Sequence, residues 1–194
     1  MFKTNHVYLS NTQIQILLDV LKVLKENGTK ILTPDIRPDI VSGRHMTMVL
    51  DLFSRKFDFV ERALIAGQGP RGNLTHLVHI FNLPLLTELC DALSAGVYPA
   101  QTKPEVDSLT VACYLLHNGS TVHWHCAGDI VGDKVRLYPC HAKAVGYLDL
   151  FGDKYRVTDN GQRAVEYWDR VSDILLRKPE PVVTNHTNVV KFAR

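Results

Sequence analysis

The sequence predicts a mainly α-helical protein with one small β-hairpin near its C-terminal end. Apolar residues recur at three- and four-residue steps in several segments, which is the pattern of helices with one buried face. A single stretch, Leu148 to Val157, instead alternates apolar and polar residues around a glycine turn. The segment Tyr98-Pro99-Ala100-Gln101-Thr102-Lys103-Pro104 is polar with two prolines between apolar stretches, the composition of a domain boundary. The expected organisation is a helical domain over residues 1–98, a second domain over 105–176 and an extended tail over 177–194.

The first helix is expected from Leu9 to Asn27. Ser10 or Asn11 can cap it, Ile14, Leu17, Leu18, Leu21 and Leu24 form its apolar stripe, and Asn27-Gly28 ends it. Thr33-Pro34-Asp35-Ile36-Arg37-Pro38-Asp39 follows as an extended connector. Met46, Val49, Leu50, Phe53, Phe57 and Val60 then recur at helical steps, so a helix is expected from Met46 to about Ala66. Gly67-Gln68-Gly69-Pro70-Arg71-Gly72 breaks the chain. Leu74 to Phe81 reads as a short helix, Asn82-Leu83-Pro84 as a turn and Leu85 to Ala95 as a further helix stopped by Gly96. Residues 74–95 thus form a candidate helix-turn-helix, although Thr87, Glu88 and Asp91 on its surface offer a duplex acidic groups where cations are needed.

In the second domain, Val106, Leu109, Ala112, Cys113 and Leu116 mark a helix that Asn118-Gly119-Ser120 stops. Trp124 to Val131 is expected to be a second helix, capped near Thr121. A third could begin at Asp133, but Pro139 and the alternation of Lys134-Val135-Arg136-Leu137-Tyr138 confine it to Pro139 to Gly146. Leu148 and Leu150 flank Asp149, Tyr155 and Val157 flank Arg156, and Phe151-Gly152-Asp153-Lys154 joins the two strands. Thr158 stands at a helix N-cap with Asp159 in the first turn. Ala164, Val165, Trp168, Val171 and Leu175 give the following helix a buried face.

This succession, from Gly146-Tyr147-Leu148 through the hairpin to Tyr155-Arg156-Val157-Thr158-Asp159-Asn160-Gly161, resembles the end of a winged helix-turn-helix domain. The resemblance implies a third helix followed by a wing and a closing helix, and a fold that most often binds DNA. Under it, His141 and Lys143 on the short third helix would enter the major groove, while Lys154 and Arg156 on the wing, with Arg136 and Arg163 nearby, would contact phosphates. The expected function is that of a dimeric, DNA-binding transcription regulator, with the helices from Leu9 to Asn27 and from Met46 to Ala66 pairing two chains on palindromic half-sites. The alternative is a protein-binding inhibitor or adaptor on the same scaffold, for which the aspartates around Lys154 and Arg156 and the acidic Glu88 and Asp91 speak.

Twenty-two basic and twenty acidic residues give a net charge of +2, spread evenly over the two halves, so no strongly basic domain announces a nucleic-acid partner. No apolar run has the length of a membrane span and the first ten residues lack the core of a secretory signal, so a cytoplasmic location is expected. His123-Trp124-His125-Cys126 and Cys140-His141 hold soft donors that suit zinc, yet no CxxC or HxxxH pair is present and no metal or other cofactor is expected. The glycines of residues 67–72 follow a helix and not a strand, and no nucleophile or acid–base motif appears, so no enzymatic activity is expected.

Overall fold

A computed structural model of the chain describes residues 4–28, 30–32, 50, 53–57, 60–65, 76–96, 98–119, 121–128 and 137–177. The architecture is mostly helical with two small antiparallel sheets. The elements in chain order are α1 (Asn11–Asn27), β1 (Lys30–Leu32), β2 (Val60–Ile65), β3 (His76–Phe81), α2 (Leu83–Ser94), α3 (Lys103–Asn118), β4 (Val122–His123), a 3-10 turn (Trp124–Cys126), α4 (Pro139–Val145), β5 (Leu148–Phe151), β6 (Lys154–Val157) and α5 (Asp159–Leu176). Leu50 and residues 53–56 are also helical.

The helix starts follow from local chemistry. Ser10 accepts from the Gln13 N–H while Gln13 reaches back to the Ser10 N–H, a reciprocal capping box that repeats at Thr102 and Glu105. Asn82 accepts from Leu85 N–H and Thr158 from Gly161 N–H, so α2 and α5 are capped by single side chains. All five residues expected on the inner face of the last helix, Ala164, Val165, Trp168, Val171 and Leu175, are buried.

The first sheet overturns part of the sequence reading. Residues 76–81 form strand β3 where a helix was expected, and residues 60–65 form β2 where the second helix was expected to continue. Segment 74–95 is therefore a strand followed by a helix and not a helix-turn-helix, and the 1–98 region is not purely helical. Val78, Ile80 and Phe81 are residues that favour a pleated surface, and β3 is held on both sides, by β1 in the register Lys30 with Ile80 and by β2 in the register Val60 with Phe81. Such non-local pairing decides between two periods that a short apolar run satisfies equally. Of the helix expected from Trp124 to Val131, the described part is a 3-10 turn and helical residues 127–128; residues 129–136 lie outside the described residues, as do 33–39, 66–75 and those beyond Arg177.

The chain thereby runs twice through one order: capped helix, short strand, helical segment, two-stranded hairpin, capped helix. Both sheets place the first strand beside the third and the second outside it, β1-β3-β2 and β4-β6-β5. The details repeat as well. α1 and α3 each end on Asn-Gly, with Gly28 at φ 90° and Gly119 at φ 134°, conformations that favour glycine. Gly28 N–H donates to Leu24 O and Gly119 N–H to Leu115 O. In each hairpin the first residue pairs with the last, Val60 with Phe81 and Leu148 with Val157, and the next residue, Asn82 or Thr158, caps the closing helix.

The two halves share one core. α5 packs against both α2 and α3, and buried side chains run without a break from Leu9 to Leu175. Trp168, 1% exposed, donates its Nε1–H to Tyr98 O at 3.0 Å, and Tyr167 donates to Leu93 O at 3.2 Å, so the 98–104 segment is bound to α5. Residues 6–8 lie along the same helix: Val7 N–H donates to Ser172 Oγ, His6 Nε2 stands 2.6 Å from Asp169 Oδ1, and the Tyr8 ring meets Trp168 edge-on. Leu17, Leu21 and Leu24 of α1 are buried inside this core, and Cys90 of α2 points its thiol at Leu17 O. Ile14 and Leu18, the other two residues of the expected α1 stripe, are half-buried at the edge of this core. No helix among the described residues is long and apolar enough to cross a membrane.

Candidate nucleic-acid interface

α4 is seven residues long because Pro139 sits at its first turn, where the missing N–H costs nothing, and Gly146 closes it in the left-handed conformation at φ 78°. Ala142 is its anchor, 1% exposed, against α3 and β5. Cys140, His141, Lys143 and Ala144 are left exposed. The His141 ring leans edge-on against Tyr138, with centroids 5.6 Å apart, and Tyr138 itself is 52% exposed.

The hairpin is joined rigidly to this helix. Gly146 O accepts from Thr158 Oγ1 at 2.7 Å and Tyr147 O accepts from Thr158 N–H at 3.2 Å, so the end of α4, the base of the hairpin and the cap of α5 share one residue. Tyr147 donates its hydroxyl to Pro99 O, and the buried Tyr155 donates to Leu137 O just ahead of α4. Gly152 turns the hairpin at φ 66°, and Phe151 at the turn is 69% exposed. Lys154 and Arg156 both point outward from β6.

Asp149 shows how the cations are arranged. Arg156 Nη2 stands 3.1 Å from its Oδ2, and the Arg156 guanidinium also lies over the Phe151 ring, 5.4 Å from its centroid. The Asp149 carboxyl is held below its ordinary range, first by the hydrogen bond from Arg156, then by the Leu150 N–H and the charges of Arg156 and Lys143. The ion pair is with Arg156, across from Asp149 in the β5–β6 register, while Lys143 of α4 adds only a longer-range charge. An exposed ion pair of this kind contributes little to stability, so Arg156 remains exchangeable toward another anion.

Of the six residues expected from the sequence, Lys154 and Arg156 share the exposed face of β6, and His141 and Lys143 are exposed on α4, which packs on β5. Arg163 is exposed on α5, after its first turn, and Arg136 lies outside the described residues. Beside the hairpin turn, Trp124 N–H donates to Asp153 O, and His123 Nδ1 lies 2.9 Å from an Asp153 carboxylate oxygen without hydrogen-bond alignment. The His123 and His125 rings lie tilted at 46° with centroids 5.4 Å apart. Among the described residues no group of three or more His, Cys, Asp or Glu side chains is placed to hold a metal ion. The sequence reading missed the aromatic content of this region: Trp124, Tyr138 and Phe151 are all substantially exposed. Position 151 at the turn was a usable signal. The acidic face of α2 proves half-neutralised, since Glu88 is gripped by Arg177 through two hydrogen bonds of 2.6 and 2.9 Å, which hold its carboxyl below the ordinary range.

Comparison of the chain with protein-family models, with curated proteins and with solved structures finds no match in any of the three.

Proposed function

We propose that the chain is a double-stranded DNA-binding protein of winged-helix type, acting as a transcription regulator, with α4 in the major groove and the β5–β6 hairpin on the flanking backbone. The observation that supports this reading best is that α4, with His141 and Lys143 exposed, packs on the hairpin whose Lys154 and Arg156 are exposed on one face. A helix of seven residues is about 10 Å long, short enough to fit within a major groove about 12 Å wide. His141 and Lys143 are then the base- and phosphate-facing groups of α4, and Lys154 and Arg156 supply sequence-independent phosphate contacts. Arg156 exchanges Asp149 for a phosphate, a stronger partner for a planar guanidinium.

The test is fluorescence anisotropy of a labelled mixed-sequence duplex. Log affinity should fall linearly with log salt, and K143E/K154E/R156E should abolish binding while leaving the circular dichroism unchanged. No binding by the natural chain at low salt sinks the proposal.

A second reading is favoured by the exposed Trp124, Tyr138 and Phe151, because aromatic residues are enriched where proteins meet one another. On that reading the same face docks a protein, and a stoichiometric partner survives nuclease treatment in a pull-down.

A further inference from the structure

The duplication of the chain has a consequence for the N-terminal half. In the C-terminal half, Lys143 stands on the helix that precedes the hairpin, five residues before the first hairpin strand begins at Leu148. In the N-terminal half the first hairpin strand begins at Val60, and the residue five positions before it is Arg55. Arg55 lies on the matching helical segment, with Lys56 next to it. Leu50, Phe53 and Phe57 hold that segment in the core at 0%, 0% and 3% exposure, as Ala142 holds α4. Arg55, two residues past Phe53, falls on the opposite side of the helix, Lys56, three past it, lies at the flank of the buried face, and both are exposed.

Neither cation forms an ion pair with a described residue. Lys56 Nζ instead lies over the Phe57 ring, 5.5 Å from the centroid, a weak contact at an exposed site. The second residue of the first hairpin strand is acidic in both halves, Glu61 and Asp149. The N-terminal segment therefore offers the same sequence of features as the proposed DNA face: buried anchor, outward cation, hairpin with an acidic second residue, capped closing helix.

From these correspondences we infer that Arg55 and Lys56 form a second duplex-contacting surface, so that one chain engages two sites on the same DNA. This rests on the DNA-binding reading of α4 and its hairpin. α5 packs on both α2 and α3, so the two surfaces are joined through one core and not through a free linker. Two sites in a single chain make pairing of two chains unnecessary for a bipartite operator.

The experiment compares the natural full-length chain, R55E/K56E, R55Q/K56Q and K143E/K154E/R156E on one duplex of about three helical turns, by anisotropy over a salt series and by footprinting. R55E/K56E should weaken binding about tenfold or more at low salt, lower the slope of log affinity against log salt by about 2, and shorten the footprint on one side only. R55Q/K56Q should give an intermediate loss, and the urea midpoint should stay at the natural value for both. Sedimentation should give one chain per full footprint. If R55E/K56E keeps the natural affinity, slope and footprint while K143E/K154E/R156E no longer binds, the second surface is wrong and the DNA reading stands. If K143E/K154E/R156E binds normally and R55E/K56E does not, the second surface stands and the role given to α4 is wrong. Two chains per footprint overturn the single-chain arrangement.

Discussion

Gly161→Ala should be among the most damaging single-methyl additions to this protein. Gly161 is buried in the first turn of α5, and a Cβ there would stand 2.1 Å from Tyr147 O, 2.9 Å from Tyr147 C and 3.0 Å from Val157 Cγ1. Two of these are backbone atoms, which cannot swing aside as a flexible side chain would. Relief requires lifting the start of α5 off the base of the hairpin, which loosens the Thr158 N–H to Tyr147 O bond and the Thr158 cap on Gly161 N–H. Overpacking of this type costs about 1 to 3 kcal/mol and a lost cap about 1 kcal/mol. Alanine recovers at most about 1 kcal/mol of helix propensity. The net expectation is a loss of about 1 to 4 kcal/mol, read as a lowered urea midpoint with unchanged slope. Gln162→Ala, at the exposed neighbouring position, should stay within about 0.5 kcal/mol of the natural chain. Equal stability of the two variants would refute the seating of α5 on Tyr147.

Trp168→Ala should cost about 3 to 5 kcal/mol, because the ring is buried between Tyr8 and Tyr167 in the region that joins both halves. Trp168→Phe should lose less, mainly the Nε1–H bond to Tyr98 O, and equal losses for the two in urea melts would show that ring packing matters little. Alkaline pH should destabilise the fold. Burial, with the Asp91 charge second, raises the Cys90 thiol to about 12, and burial raises Cys113 to about 11 and Tyr147 and Tyr155 to about 12. Each of these groups ionises more readily when unfolded, so their contribution is intact below about pH 9 and is lost as pH climbs toward 12. Melting temperatures that stay level between those limits contradict this, and Cys90→Ala should flatten part of the fall.

The C-terminal half was largely legible because its determinants are local. Gly152 and the alternation of Leu148, Leu150, Tyr155 and Val157 specify a two-residue hairpin, and Thr158 specifies the helix start beside it. In the N-terminal half the determinant is a pairing between residues 30–32 and 78–80, far apart in sequence, which no local window contains. Val60 to Ile65 continues the apolar spacing set by Leu50, Phe53 and Phe57, so a helical period runs smoothly into what is a strand. The duplication escaped notice because it preserves roles and not residue identities. Ser10 with Gln13 stands for Thr102 with Glu105, Asn82 stands for Thr158, and only the two Asn-Gly helix ends are literally the same. At the candidate site the cations were readable from the sequence, whereas the longer-range action of Lys143 on Asp149 depends on how α4 folds against β5.

The most direct test of the proposed interface is a titration of the isotopically labelled chain with a short mixed-sequence duplex at low salt, followed by amide chemical shifts. The account predicts the largest changes at Cys140, His141, Lys143 and Ala144 of α4 and from Phe151 to Arg156 of the hairpin, with all of them reversed by added salt. A spectrum that does not change on adding DNA, or changes only away from α4 and the hairpin, contradicts it.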